Sequence, residues 1–98
     1  MQHNFKSYVA EIEKTHSIIE PHIHNTPLLN SKDLDAKLGM QIFCKAENLQ
    51  VTGSFKIRGA LSSISRLTDE QLKQGVLAYS SGNHAQGVAM AAKCYKTN

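Results

Sequence analysis

At the start of the chain, Phe5, Tyr8, Val9, Ile12 and Ile19 recur at helical spacing with polar residues between them, which predicts a surface helix from Phe5 to Ile19. Pro21 ends it, since proline lacks an N–H and clashes with the preceding turn, and residues 21–27 read as a loop. Residues 26–29 are short and apolar enough for a strand. Ser31 then caps a short helix that carries Leu34 and Leu38 and closes at Gly39. Residues 41–47 (QIFCKAE) predict a second strand with Ile42, Cys44 and Ala46 on one face. Over residues 54–64 the stripe Ile57, Ala60, Leu61 and Ile64 predicts a helix, with Lys56 and Arg58 off the stripe and Lys56 in the first turn at the mouth of a cleft. Thr68 followed three residues later by Gln71 is a capping box for a brief helix ending near Gly75. Residues 76–79 (VLAY) predict the next strand, parallel to its predecessor by the right-handed crossover rule. Asn83 begins the last helix, with Val88, Ala91, Ala92 and Tyr95 along one side, and Gly87 and Ala89 are small enough for close approach to a sheet. Helices alternating with short strands give an α/β architecture with a parallel sheet.

Composition limits this picture to one small core: the chain has 98 residues, 41% of them hydrophobic and 19% charged. The net charge of +3 comes without a basic block, so nucleic acid is not an expected partner. No apolar run approaches the ~18 residues of a membrane span. The first residues, MQHNFKSYVAEIEK, lack a signal peptide's apolar core, so a soluble cytoplasmic protein is expected. Cys44 and Cys94 are far apart among apolar neighbours and read as packed free thiols. His22 and His24 could share a metal if extended, but no cysteine or carboxylate completes a set, and no metal site is expected.

Two stretches carry candidate chemistry. In ENLQVTGSFKIRGA, residues 47–60, Lys56 follows Gly53, which loosens the backbone, Ser54, which can cap a helix, and Phe55, whose ring lies beside the amine. A lysine amine in a partly desolvated pocket has a depressed pKa and can form a Schiff base with a carbonyl or with pyridoxal phosphate. The plain alternative is a solvated charge, as most lysines are. In SSGNHAQG, residues 80–87, a strand runs through a small-residue turn into a helix. Such a turn offers free N–H groups and a positive dipole end to a phosphate or carboxylate. The plain alternative is an N-cap cluster of Ser80, Ser81 and Asn83.

Together the TGSFKIRGA and SSGNHAQG blocks, at this separation, resemble over nearly the whole chain the start of the pyridoxal-phosphate enzymes of the threonine dehydratase and serine racemase family. The resemblance implies the three-layer, parallel-sheet fold of the tryptophan synthase beta-like type, present here as an N-terminal fragment. Within residues 1–98, about 1–48 would start the large domain and about 49–98 the small domain. It also implies roles. Lys56 would hold pyridoxal 5'-phosphate as a Schiff base and then take or return the substrate α-proton, with Phe55 along the pyridine ring. Asn83 would hydrogen-bond the cofactor's 3-hydroxyl, and Ser80, Ser81, Gly82, Asn83 and His84 would supply donors to the substrate carboxylate. The glycine-rich phosphate loop and the partner of the pyridine nitrogen would lie in a part not present.

The implied reaction is dehydration of threonine, serine or hydroxyaspartate: α-proton abstraction by Lys56, loss of the β-hydroxyl, and an enamine that hydrolyses to a 2-oxo acid and ammonia. A serine at position 81 also fits the racemase-like branch, where it faces the α-carbon from the side opposite the lysine as a second acid/base. The implied partners are a small amino-acid substrate and, for the full-length relative, further copies of itself. A reading of another class follows from length: a truncated remnant, or an interaction module built on the amphipathic Phe5–Ile19 segment.

Overall fold

Two helices hold the centre of the chain in the computed structural model, which describes residues 5–98. Helix α3 (Lys56–Ile64) turns Ile57, Ala60, Leu61 and Ile64 inward, the stripe its spacing predicts, and α5 (Asn83–Cys94) meets it with Gly87, Ala91 and Ala92. Ile57 and Leu61 are fully buried, each removing enough apolar surface to stabilise the fold by about 1.5–3 kcal/mol. The small residues on α5 are what let two helices approach closely. Ile19, the last residue of α1 (Phe5–Ile19), completes this core. The rest of the expected apolar row on α1, Phe5, Tyr8, Val9 and Ile12, stays exposed. Pro21 follows in a one-turn 3-10 helix, Glu20–His22, where its missing N–H is tolerated.

Strand β1 (Leu28–Asn30) and strand β2 (Phe43–Lys45) flank α2 (Lys32–Leu38). The Ser31 hydroxyl accepts from the Leu34 N–H at 3.3 Å, and Gly39 closes α2 at φ +66, a left-handed turn suited to glycine. Asp35 ties the unit together by accepting from the Ile42 N–H and the Asn30 amide, both at 2.8 Å. No residue of β1, α2 or β2 is buried. The thiol of Cys44 is consequently exposed, not packed as expected, whereas Cys94 is half-buried; both are free.

The two strands pair antiparallel, Leu28 opposite Lys45, Leu29 opposite Cys44 and Asn30 opposite Phe43. They are the only sheet among the described residues. The parallel strand expected at residues 76–79 does not form. A strand needs a neighbouring backbone to satisfy its N–H and C=O groups, and among the described residues no strand pairs with this segment, where Leu77 is 99% and Tyr79 104% exposed. The segment is anchored at its start, where the Val76 N–H donates to the Asn98 carbonyl at 2.6 Å, and nearby the Thr97 hydroxyl donates to the Leu72 carbonyl. Helix α4 (Asp69–Gln74) precedes it with both bonds of the expected capping box, Gln71 N–H to Thr68 Oγ1 at 3.2 Å and Thr68 N–H to Gln71 Oε1 at 2.9 Å. Among the described residues no helix is long and apolar enough to cross a membrane, and no group of three or more metal-ligating side chains converges.

Candidate active site

The lysine is delivered by a turn that only glycine makes easily. Gly53 sits at φ +71, its N–H donating to the Gln50 carbonyl at 2.7 Å, a conformation that puts a side chain into steric conflict. Ser54 is buried behind it, and its hydroxyl accepts from the Lys56 N–H at 3.4 Å, so it supports the helix start from two residues back. Phe55 occupies the cap position itself without a side-chain bond, and α3 begins at Lys56 rather than at residue 54. The Lys56 amine is exposed and stands 5.2 Å from the centre of the Phe55 ring. A cation–π contact at an exposed site is worth about 0.5–1 kcal/mol. A positive charge at a helix N-terminus opposes the helix dipole by a comparable ~0.3–1 kcal/mol, so helix stability does not explain a lysine here.

Phe55 and Lys56 form part of the wall of a cavity of about 540 Å³, together with Gly59, Val76, His84 and Val88. That size lies within the range of small-molecule sites. The walls are mostly apolar, with Lys56, Ser63 and His84 as the polar lining residues. The expected cleft at Lys56 is present.

Gly87 joins the two sequence blocks. A Cβ added there would lie 3.1 Å from the Lys56 carbonyl carbon and 3.2 Å from both the Lys56 oxygen and the Ile57 nitrogen. The small residue therefore admits not a sheet, as expected, but the first turn of the lysine helix. Helix α5 is capped by Gly82 with no side-chain bond, so the N-cap cluster of serines and Asn83 does not form; the Ser80 hydroxyl instead accepts from the Gly82 N–H at 3.3 Å. Of the second block, His84 reaches the cavity wall, whereas Ser80, Ser81, Gly82 and Asn83 lie in the chain between Ala78 and His84 without lining it.

A polar network beneath the lysine turn escaped the sequence reading. Arg58 forks onto Glu47, Nε to Oε2 at 2.8 Å and Nη2 to Oε1 at 2.9 Å, and the Thr26 hydroxyl donates to the same carboxylate. The Arg58 hydrogen bond, opposed by burial and helped by the Thr26 bond, holds the Glu47 carboxyl down at about 2. The same bond raises the Arg58 guanidinium. Gln50 is buried and accepts from the N–H groups of His24 (2.8 Å) and Val51 (2.9 Å) while donating to the His24 carbonyl at 2.9 Å. The available signal was Arg58, a cation off the apolar stripe and two residues from Lys56; its partner, eleven positions back, follows no helical or strand spacing.

Comparison with known proteins identifies the family. The chain belongs to the pyridoxal-phosphate dependent enzymes, whose family pattern matches residues 19–98. It is 51% identical over 83 residues to L-threo-3-hydroxyaspartate ammonia-lyase of a Pseudomonas species, covering 85% of this chain and 26% of the relative. It is 49% identical over 86 residues to a catabolic L-threonine dehydratase of Staphylococcus aureus, covering 87% of this chain and 25% of the relative. The solved structure of maize serine racemase superposes with a TM-score of 0.84 at 45% identity, over 91% of this chain and 28% of that one. The chain thus spans about a quarter of the length of these curated relatives. Its fold is the tryptophan synthase beta-like fold of such structures, of which it carries the N-terminal part.

Pyridoxal phosphate is the cofactor this membership implies. The donor set fits its aldehyde end: a primary amine accessible from a cavity of adequate size, an aromatic ring beside it, and apolar walls.

Proposed function

We propose that this chain carries the lysine-bearing part of a pyridoxal-phosphate-dependent ammonia-lyase that converts a 3-hydroxy amino acid, threonine, serine or hydroxyaspartate, to a 2-oxo acid and ammonia. The observation that carries this reading is the shared cavity: Lys56 and Phe55 from one block and His84 from the other form one wall system, locked together where Gly87 meets the Lys56 backbone. The ammonia-lyase and dehydratase among the relatives favour elimination.

In this reading Lys56 Nζ would hold the cofactor's aldehyde end and would be the group that takes the substrate α-proton. Bound there, pyridoxal phosphate supplies the electron sink that makes that proton removable. Phe55 orients the ring, and the apolar wall of Gly59, Val76 and Val88 excludes water from one side. Asn83 would hold the cofactor hydroxyl, while Ser80, Ser81, Gly82, Asn83 and His84 would offer donors to the substrate carboxylate at the start of α5. The division into a large-domain start at about 1–48 and a small-domain start at about 49–98 accords with the lobe of β1, α2 and β2, which contributes nothing to the core. Ile19 and Ile23 are exceptions, because they pack with the helical core from the other side of that boundary.

A second reading is favoured by the likeness to serine racemase and by the exposed Ser81 beside the α5 N-terminus. Ser81 Oγ would then return the proton from the face opposite Lys56. In the full-length enzyme Ser81→Ala would suppress racemisation and spare dehydration; equal loss of both would reject the assignment.

The primary test is an absorbance scan of the chain mixed with pyridoxal phosphate, repeated with Lys56→Ala. We expect a band shifted from that of free cofactor and absent in the variant. The same band in both proteins would refute the assignment of Lys56.

A further inference from the structure

We infer that Glu47 and Arg58, with Thr26 and Gln50 behind them, form a clamp that positions the Lys56 amine, and that these are positioning residues of the site. The inference rests on Lys56 being the cofactor-binding amine. The lysine turn starts at Glu47, two residues after β2, passes through the left-handed Gly53 and returns into α3, where Arg58 follows Lys56 by two residues. The fork of Arg58 onto Glu47 closes this excursion at its base with two parallel bonds of 2.8 and 2.9 Å. A bidentate arginine–carboxylate pair fixes direction as well as distance. Gln50 pins the middle of the turn to the His24 backbone through two bonds, at 2.8 and 2.9 Å. The Thr26 hydroxyl takes a further lone pair of the carboxylate, and Lys45 Nζ donates to the Thr26 carbonyl at 3.0 Å. These bonds tie the two ends and the middle of the turn that carries Lys56, Glu47, Gln50 and Arg58, to one another and to residues 24–26, and none of them involves the exposed amine itself. Glu47 and Arg58 are largely shielded, with side chains 14% and 26% exposed, so the pair is less screened than a surface ion pair. The lysine is thereby held at the cavity by groups that never meet the cofactor.

The test compares Glu47→Gln and Arg58→Lys with the unaltered chain. Pyridoxal phosphate is trapped on lysines with borohydride, and the yield at Lys56 is measured against Lys73 and Lys93 on the same molecule. The ring-current shift that Phe55 imposes on the Lys56 ε-protons is read by NMR without cofactor. Asp35→Asn, which loosens the distant β1–α2–β2 unit, controls for general destabilisation. A misplacement of ~1 Å changes rates by up to ~100-fold. We expect relative Lys56 trapping to fall about five- to tenfold and the ring-current shift to shrink in both clamp variants, with neither changing in Asp35→Asn. Folded clamp variants that keep wild-type trapping and shift would overturn the inference, as would an equal loss in Asp35→Asn. Should the unaltered chain trap no more at Lys56 than at Lys73, the cofactor reading fails by itself, and the ring-current comparison still decides the clamp. If Glu47→Gln does not fold, Arg58→Lys and Thr26→Val carry the same comparison with the carboxylate in place.

Discussion

Glu47 shows how one side chain can link the pH dependence of stability to the lysine turn. Its carboxyl is held at about 2 in the folded chain against an ordinary 4.5, first by the Arg58 hydrogen bond. A depressed acid contributes stability that is fully present above its unfolded value and is lost as pH falls through the folded one. The window therefore runs from about 4.5 down to about 2. Arg58 is shifted upward and titrates outside any neutral or acid window, so it adds no slope there. Urea unfolding at a series of pH values from 7 down to 2 should show the wild-type chain losing its advantage over Glu47→Gln through this window, with the gap widest at neutral pH. Parallel curves for the two proteins would show that the ion pair contributes nothing to folding.

At the scale of elements the decisive contact is α3 against α5, and two glycines test it in opposite directions. Alanine is favoured over glycine inside a helix by about 1 kcal/mol. Gly59 has open space where its Cβ would go, so Gly59→Ala should raise the unfolding free energy by about that amount. Gly87 faces backbone atoms of Lys56 and Ile57 at 3.1 to 3.2 Å, and backbone cannot rotate aside as a side chain can. Overpacking of this kind costs about 1–3 kcal/mol, which outweighs the propensity gain. Gly87→Ala should lower stability and also shift the Lys56 amide resonance, whereas Gly59→Ala should leave that resonance nearly unmoved. A stabilising Gly87→Ala would mean that the helices do not touch there.

The same elements show what could be read from the sequence. The stripe Ile57, Ala60, Leu61, Ile64, the Ser31 and Thr68 caps and the closing Gly39 were legible, because each is a local pattern with a local cause. So was the place of Lys56, in the first turn of its helix and beside a cleft. The partner of α5 was not, since Gly87 announces close approach without saying to what. Residues 76–79 have the composition of a strand, but pairing is a property of two segments, and only one is at hand. Glu47 and Arg58 meet across a turn whose path depends on one left-handed glycine, so their spacing in sequence says nothing about their contact.

The whole molecule concentrates its stability in a small volume. The buried apolar side chains of the main core come from the end of α1, from α3 and from α5, while β1, α2 and β2 contribute none. A core of this size leaves a narrow margin, because folded domains are stable by only about 5–15 kcal/mol in any case. Leu61 is fully buried at the centre of the core, and truncating a buried leucine costs about 2–5 kcal/mol. Leu28 is 62% exposed on β1, so the same truncation removes little from the interior. Leu61→Ala should therefore erase or nearly erase the cooperative urea transition, whereas Leu28→Ala should leave its midpoint almost in place. Amide exchange should give the matching map, with slowest exchange in α3 and α5 around Leu61 and Ala91, and fast exchange across residues 77–79. Equal sensitivity at Leu28 and Leu61 would mean that the lobe and the helical core fold as one unit, and the lysine site would then depend on β1 and β2 as much as on the helices that line it.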